Sequence, residues 1–396
     1  MATFTWQDGN QGIYYYGQFQ HYSIVRMADD KLVFRYDDST IPLDPTLFPR
    51  TIVMTIENGQ ILENDEGTSF YSAGTVTGIK YRDASNNLLI EASDLDLAVS
   101  PITRWVADGQ AENIQDYILS GDHRFFGSAD SQGPDWDGDE IQTGTGDDMV
   151  RARGGGDFVR DAGGADHYDL GGGRDDTLTY EYWFDHPAGM TGGVTVNLTL
   201  ETALGPDGHR DTVIGVERVR GTFLDDKLVG DGADNELMGL QGNDILNGQG
   251  GFDTVDYRKE ASHGGHGGVR VNLSTGEARD SFQTVDTLVS IEAVEGTEFR
   301  DFMIANRQDN LFQGRGGADR FIFQGQHFGD NLIRDFSQDE GDLIYIRHAD
   351  RLSDLTITYD GASGDALIEY GSGSITLSNW VSDNPGDELV ADDFVF

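Results

Sequence analysis

Carboxylates recur at a fixed spacing in this chain, and glycines recur with them. Between positions 221 and 255 the sequence reads GTFLDDKLV, GDGADNELM, GLQGNDILN, GQGGFDTV. Cut every nine residues, the columns align. Gly221, Gly230, Gly239 and Gly248 open the units, Asp226, Asn235, Asp244 and Asp253 hold the sixth place, and Leu228, Leu237, Leu246 and Val255 hold the eighth. Acidic side chains in turns whose glycines can point carbonyls inward offer rows of oxygen ligands for a hard cation. A period of nine suits neither one helix nor one sheet strand. It suits a parallel β-solenoid, in which each unit is a turn and a short strand.

Two further arrays share the period. In the first, from about position 121 to 178, the sixth places are Asp139, Asp148, Asp157 and Asp166, with Ile141, Val150, Val159 and Tyr168 two residues after each. The next step is broken by one residue. Asp176 is preferred to Asp175 there, because Leu178 follows it at the right distance. Arg153 and Arg174 stand where the pattern prefers glycine, and DSQGPDWDGD at 130–139 reads as an insertion in the first turn. The third array has Asp301, Asn310 and Asp319 in the sixth place and Met303, Phe312 and Phe321 in the eighth.

The units resemble the nonapeptide G-G-x-G-x-D-x-U-x of the RTX, or hemolysin-type, family, U being a large apolar residue. The resemblance implies bound Ca2+, several ions in all, each held between turns on one side of a β-roll. Carried over residue by residue, it pairs Asp226 with Asp244, Asn235 with Asp253, Asp139 with Asp157, Asp148 with Asp166, and Asp301 with Asp319. The neutral Asn235 is expected to make a weaker site, and Asn310 has no same-side partner within its array. The stretch GDNLIRDF at 329–336 resembles the C-terminal cap of such proteins. The ending Asp393-Phe394-Val395-Phe396 looks like the terminus of type I secretion substrates. The start MATFTWQDGNQ has no basic region followed by an apolar one, so no ordinary signal peptide is read there.

Composition agrees with cation-dependent folding. The 396 residues carry 27 Lys and Arg against 70 Asp and Glu, a formal net charge of −43. Such charge argues against nucleic acid and anionic membrane as partners, and it opposes compaction unless cations neutralise it. There is no cysteine, hence no disulfide or thiolate metal framework. No apolar run approaches membrane-spanning length.

The elements that must position the arrays are read around them. Of the 53 glycines, 8 fall within residues 1–120, which marks a change of domain. Residues 1–104 are expected to form a small β domain with strands near 3–6, 13–19, 32–36, 51–56, 75–81 and 88–92. Turns are expected at Asp8-Gly9-Asn10, Asn58-Gly59 and Asn86-Asn87. Tyr14, Tyr15, Tyr16, Phe19 and Tyr22 could stack on sugar, though a packed sheet face is the simpler account. Residues 105–120 read as a capping helix over the open end of the solenoid, with Asp108 as N-cap and Ile114, Ile118 and Leu119 as its apolar stripe.

Arrays then occupy 121–180, 221–257 and 296–323, joined by linking strands at 181–220 and 258–295. The linkers form a longer repeat of roughly 75 residues: V-T-V-N-L at 194–198 matches V-R-V-N-L at 269–273, and D-T-V at 211–213 matches D-T-L at 286–288. His263 and His266 in SHGGHGG invite a zinc reading, but two imidazoles without supporting ligands favour a glycine loop. Residues 324–396 are expected to form an antiparallel β cap carrying the secretion signal.

The fold class expected is therefore all-β: parallel β-roll arrays between an N-terminal β domain and a C-terminal antiparallel cap. The leading functional expectation is a secreted, extracellular calcium-binding protein of the cell surface or matrix that folds on binding calcium after export. Its partners would be calcium, the type I secretion machinery and a surface or matrix polysaccharide. No H-E-x-x-H, G-x-S-x-G or phosphate-binding glycine loop is present in residues 1–104. The alternatives are a secreted enzyme, polysaccharide-modifying or hydrolytic, or a sugar-binding module, each using the repeats as its secretion and folding unit.

Overall fold

The computed structural model describes residues 2–6, 22–36, 51–63, 69–82, 88–107, 114, 118, 123–126, 138–181, 192–380 and 388–396. The chain divides into two compact units. One comprises Met1–Tyr180, Asp185–Met190 and Glu201–Val216; the other comprises Glu181–Phe184, Thr191–Leu200 and Glu217–Phe396.

The first unit opens with an antiparallel sheet. Its strands run Tyr22–Ala28, Lys31–Tyr36, Thr51–Glu63, Ser69–Arg82 and Leu88–Ala98, each paired with the next, and Ala2–Trp6 pairs with Leu88–Ala98. Alternation buries Leu32, Phe34, Ile52, Met54, Val76 and Ile79 on one face. The strand expected at 13–19 and its tyrosines at 14–16 lie outside the described residues.

Asn58-Gly59, expected to turn, lies inside a strand. The register shifts between Glu57 and Gln60, and Asn58 adopts a φ of 54°. A Cβ at Gly59 would fall on the Asp29 carbonyl and the Tyr71 ring, so the glycine permits a bulge and not a hairpin. Helix begins ahead of the stretch expected at 105–120. A helix spans Val99–Ala107, with Pro101 in its first turn, where no intrahelical donor is lost. Val99 and Ile102 are buried, and the Tyr71 N–H donates to Thr103 Oγ1 at 3.1 Å. Within 108–120, Ile114 and Ile118 are described; both are helical and buried.

The same unit carries the first roll. Strands of three to five residues stack in parallel in two sheets. One runs His123–Phe126, Met149–Arg151, His167–Asp169 and Arg210–Ile214; the other runs Glu140–Gln142, Phe158–Arg160 and Thr177–Thr179. Ala2–Trp6 also pairs in parallel with His123–Phe126. An open sheet edge is a template for unwanted pairing, and here the antiparallel sheet occupies it.

The second unit repeats the roll. Leu228 pairs with Leu246, and Leu237 with Val255, so each strand meets the one eighteen residues on, and successive units alternate between sheets. All four side chains are fully buried. The closing segment is antiparallel only over Thr356–Asp360, Asp365–Tyr370 and Gly373–Leu377. Asp330–Ile333, Leu343–Ile346 and Phe394–Val395 were expected in that antiparallel cap and instead extend the roll in parallel. Larger side chains fill the core there: Phe312 lies 6.2 Å from Phe321, Phe323 lies 5.3 Å from Phe328, and Phe336 lies 5.7 Å from Trp380, ring centre to ring centre.

Phe321 is fully buried, whereas Phe252 is 38% exposed. In calcium, Phe321→Ala should lower the unfolding free energy by about 3–5 kcal/mol, and Phe252→Ala should change it by less than about 0.5 kcal/mol. Denaturant unfolding of the two variants checks the difference.

Candidate metal centre

Each sixth-place residue ends a turn and starts a strand. Its N–H donates to the side-chain oxygen of the sixth-place residue in the unit stacked on it, except at Asp253, whose N–H donates to Glu292 Oε2 at 3.1 Å. Asp139 donates to Asp157 at 2.7 Å, Asp148 to Asp166 at 2.8 Å and Asp157 to Asp176 at 2.7 Å. Asp226 donates to Asp244, Asn235 to Asp253 and Asp301 to Asp319, all at 2.8 Å. These acidic side chains form a buried ladder. Asp176, not Asp175, carries the rung.

The ladder runs beyond the arrays, through residues the nonapeptide pattern does not assign. Asp166 donates to Asp211 at 3.0 Å, Asp244 to Asp286 at 3.1 Å and Asp319 to Asp342 at 2.8 Å. Asn310, read as lacking a same-side partner in its array, donates to Asn331 at 3.1 Å. For Asp211 and Asp286 the signal was present: each is followed two places on by a buried apolar residue, Val213 and Leu288, as in the arrays.

The turns fall into two kinds, set by the residue four before the rung. In one kind its N–H donates back to the sixth-place side chain. Thr222 donates to Asp226 at 2.6 Å, Asp231 to Asn235 at 2.8 Å, Thr297 to Asp301 at 2.6 Å, Asn306 to Asn310 at 3.0 Å and Gly144 to Asp148 at 3.0 Å. In the other kind that residue is left-handed: Arg153 at φ 82°, Leu240 at 67°, Gln249 at 72° and Arg315 at 71°. The N–H is then turned away. Asp157, Asp244, Asp253 and Asp319 each keep one buried oxygen with no hydrogen-bond partner. Both asparagines of the ladder's arrays, Asn235 and Asn310, fall in turns of the first kind, where a neutral amide oxygen suffices.

The opening glycines are required by the same side chains. A Cβ at Gly221, Gly230, Gly239 or Gly248 would fall on Asp226, Asn235, Asp244 or Asp253 of its own unit. A Cβ at Gly242 would come within 2.6 Å of the Leu224 carbonyl, so carbonyls of stacked turns also approach closely.

An unpaired oxygen on a buried carboxylate is costly unless a proton or a cation meets it. Burial first, and the charges of Asp226 and Asp286 next, push Asp244 up to about 9. Burial followed by Asp301 and Asp342 pushes Asp319 to about 9. Burial raises Asp226 and Asp301 to about 7, and Asp157 and Asp253 to about 6. The residues therefore fit a hard cation: partnerless carboxylate oxygens beside glycine turns whose carbonyls face the stack.

Other clusters are engaged by neighbouring side chains. Asp161, Asp166 and Asp211 converge in the core, where the one proton of the Tyr168 hydroxyl lies between Asp161 at 2.9 Å and Asp166 at 2.5 Å, and Tyr180 donates to Asp211 at 3.4 Å. Glu236, Asp256 and Glu295 surround the Arg258 guanidinium at 2.5, 2.8 and 3.2 Å. His263 is committed to Glu181 at 2.5 Å and to the Lys259 carbonyl at 2.6 Å, while His266 is exposed. The acidic stretch at 130–137 lies outside the described residues. Among the described residues no helix is long and apolar enough to cross a membrane.

The RTX calcium-binding nonapeptide repeat matches in four copies, over residues 220–255 and 295–326, so the chain carries this calcium-binding repeat. No curated protein matches. The chain is similar to the extracellular lipase LipA of Serratia marcescens at 16% identity, covering 72% of this chain and 41% of that one, with a TM-score of 0.23. It is also similar to the AlgE6R3 subunit of the Azotobacter vinelandii mannuronan C5-epimerase at 20% identity, covering 44% of this chain and 78% of that one, with a TM-score of 0.17. The chain thus spans less than half the length of the lipase it matches.

The raised carboxylates set a pH dependence for the calcium-free chain. Their folded values exceed the ordinary value near 4, so their protonation favours the fold: the contribution is full below about 4 and is lost as pH rises towards about 9. In chelator, far-UV circular dichroism should show strand content falling from pH 5 to pH 9. Calcium added at pH 8 should restore it and release protons, measurable in weakly buffered solution.

Proposed function

We propose that this chain is an exported calcium-binding protein whose roll folds when Ca2+ enters its turns outside the cell. The observation that carries the reading is the set of partnerless buried oxygens on Asp157, Asp244, Asp253 and Asp319. These four carboxylates would hold the ions together with stacked turn carbonyls. Asp139, Asp226, Asn235 and Asp301 present the backbone N–H groups that orient them. Calcium there supplies the positive charge that otherwise only protonation could supply.

Asp148, Asp166, Asp176, Asp226, Asn235 and Asp301 were all candidate ligands from spacing. Backbone donors already meet the turn-facing oxygen of Asp148, Asp226, Asn235 and Asp301, and Tyr168 meets Asp166, which supports a capping role for these five. Asp176 falls in neither kind of turn, since the step to it is one residue longer, and it stays a candidate ligand from the repeat alone.

Extracellular calcium modules have dissociation constants of about 10⁻⁴ to 10⁻³ M. At tenfold excess each independent site stabilises the fold by about 1.4 kcal/mol through mass action. Several sites together rival the net stability of an ordinary domain. Low cytosolic calcium would leave the acidic chain extended for export, and the higher concentration outside would fold it. The role we propose for it there is at the cell surface or in the matrix.

Calcium titration followed by circular dichroism tests the assignment. Asp244→Asn should raise the calcium midpoint by about tenfold or more, since it removes a ligand charge. Asp226→Asn keeps an acceptor for Thr222 and should shift the midpoint far less. Equal shifts in the two variants, or a spectrum indifferent to chelator, would sink the reading.

A further inference from the structure

We propose that one outer face of the roll in the second unit is a docking row for an acidic polysaccharide, centred on Arg279, Arg270, Phe302 and Arg320. Strand register places these residues side by side. Arg279 pairs with Arg270, Arg270 with Phe302, and Phe302 with Arg320, across four neighbouring strands. Residues directly opposite in a sheet share a face. That face is outward, because the alternating residues Val271, Ala278, Met303 and Phe321 are buried in the core.

The row gathers three guanidinium groups in a chain of net charge −43, and none of the described ion pairs takes Arg270, Arg279 or Arg320. Instead the guanidinium carbons of Arg270 and Arg320 lie 5.8 and 5.4 Å from the Phe302 ring centre, one from each flanking strand. Arg279 donates to the Gln283 carbonyl at 3.2 Å. The adjoining row on the same face holds Glu277, Asn272, Ile304, Ile322 and Tyr345, with a single carboxylate.

The fold does not demand these residues. In the preceding copy of the longer repeat, the positions of Arg270, Phe302 and Arg320 hold Thr195, Lys227 and Ile245. A ring between two guanidinia offers a flat surface for a sugar face and bidentate donors for carboxylates on either side. Arg270 and Arg320 are separated by two strand spacings, about 10 Å, the reach of an extended disaccharide. The strongly negative chain disfavours a densely phosphorylated polymer such as nucleic acid, so a uronate-bearing chain fits best.

The row exists only in the folded roll, and the inference therefore rests on the calcium-folding reading. The test is calorimetric titration of the whole chain in calcium with short soluble oligouronates, circular dichroism in the same buffer reporting the fold separately. Binding is expected, weakening with salt and absent for the carboxyl-reduced oligomer. Combined Arg270→Gln, Arg279→Gln and Arg320→Gln should weaken it by about tenfold or more, with the calcium midpoint unchanged, and Arg307→Gln should leave it intact. A folded chain that ignores oligouronates, an unaffected triple variant, equal binding of the reduced oligomer, or a preference for inorganic polyphosphate would each overturn the proposal. An unfolded spectrum in calcium would instead count against the folding reading.

Discussion

All but one of the sixth-place carboxylates in the arrays are buried next to another, the exception being Asp253, which is stacked on Asn235. The N–H donated from the stacked turn meets one oxygen, and the second oxygen must find a donor, a proton or a cation. The strands are too short, three to five residues in the arrays, to compensate with a deep apolar core. The eighth-place side chains supply a single file of buried residues, and chain entropy opposes closing each turn. Neutralising the ladder is thus the condition on which the roll depends, and the net charge of −43 makes the condition stricter.

The molecule meets that condition in three ways. At Asp226, Asp301 and Asp148 the turn closes on itself through a backbone donor. At Asp157, Asp244, Asp253 and Asp319 a left-handed residue withdraws the donor and leaves one buried oxygen without a hydrogen-bond partner, which a proton or a cation must meet. Where long excursions interrupt the array, tyrosine hydroxyls take over: Tyr180 donates to Asp211, and Tyr257 to Asp286 at 3.0 Å. The ladder thereby survives steps of 45 and 42 residues in place of 18. Excursions of this size are tolerated because loop-closure entropy grows slowly with length.

Each unit closes its stack differently. In the first, Ala2–Trp6 pairs onto His123–Phe126 and covers that strand's edge. In the second, the core towards the C-terminus takes phenylalanines and Trp380, and a three-stranded antiparallel turn-back follows at 356–377. Interior size is set there by ring stacking and not by leucine.

The repeat period, the sixth-place oxygens, the eighth-place core and the all-β class were legible in the sequence, because each is a local pattern of residue types that a nine-residue period exposes. The alternate-unit pairing was implied by the resemblance to RTX repeats, and strand register places each partner eighteen residues away. Three things were not fully legible. The helix at 99–107 hid behind Pro101, a residue harmless only in a first turn. That Asp211, Asp286 and Asp342 join the ladder was only half legible: each is followed two places on by a buried apolar residue, but strand pairing alone places them beside Asp166, Asp244 and Asp319. The difference between a capping carboxylate and a cation-ready one depends on φ at Thr222 or Leu240, which the residue type alone does not set. The sequence by itself determined where the oxygens are. Only the tertiary structure decided which of them remain unsatisfied, because that depends on backbone donors brought from turns stacked eighteen or more residues away.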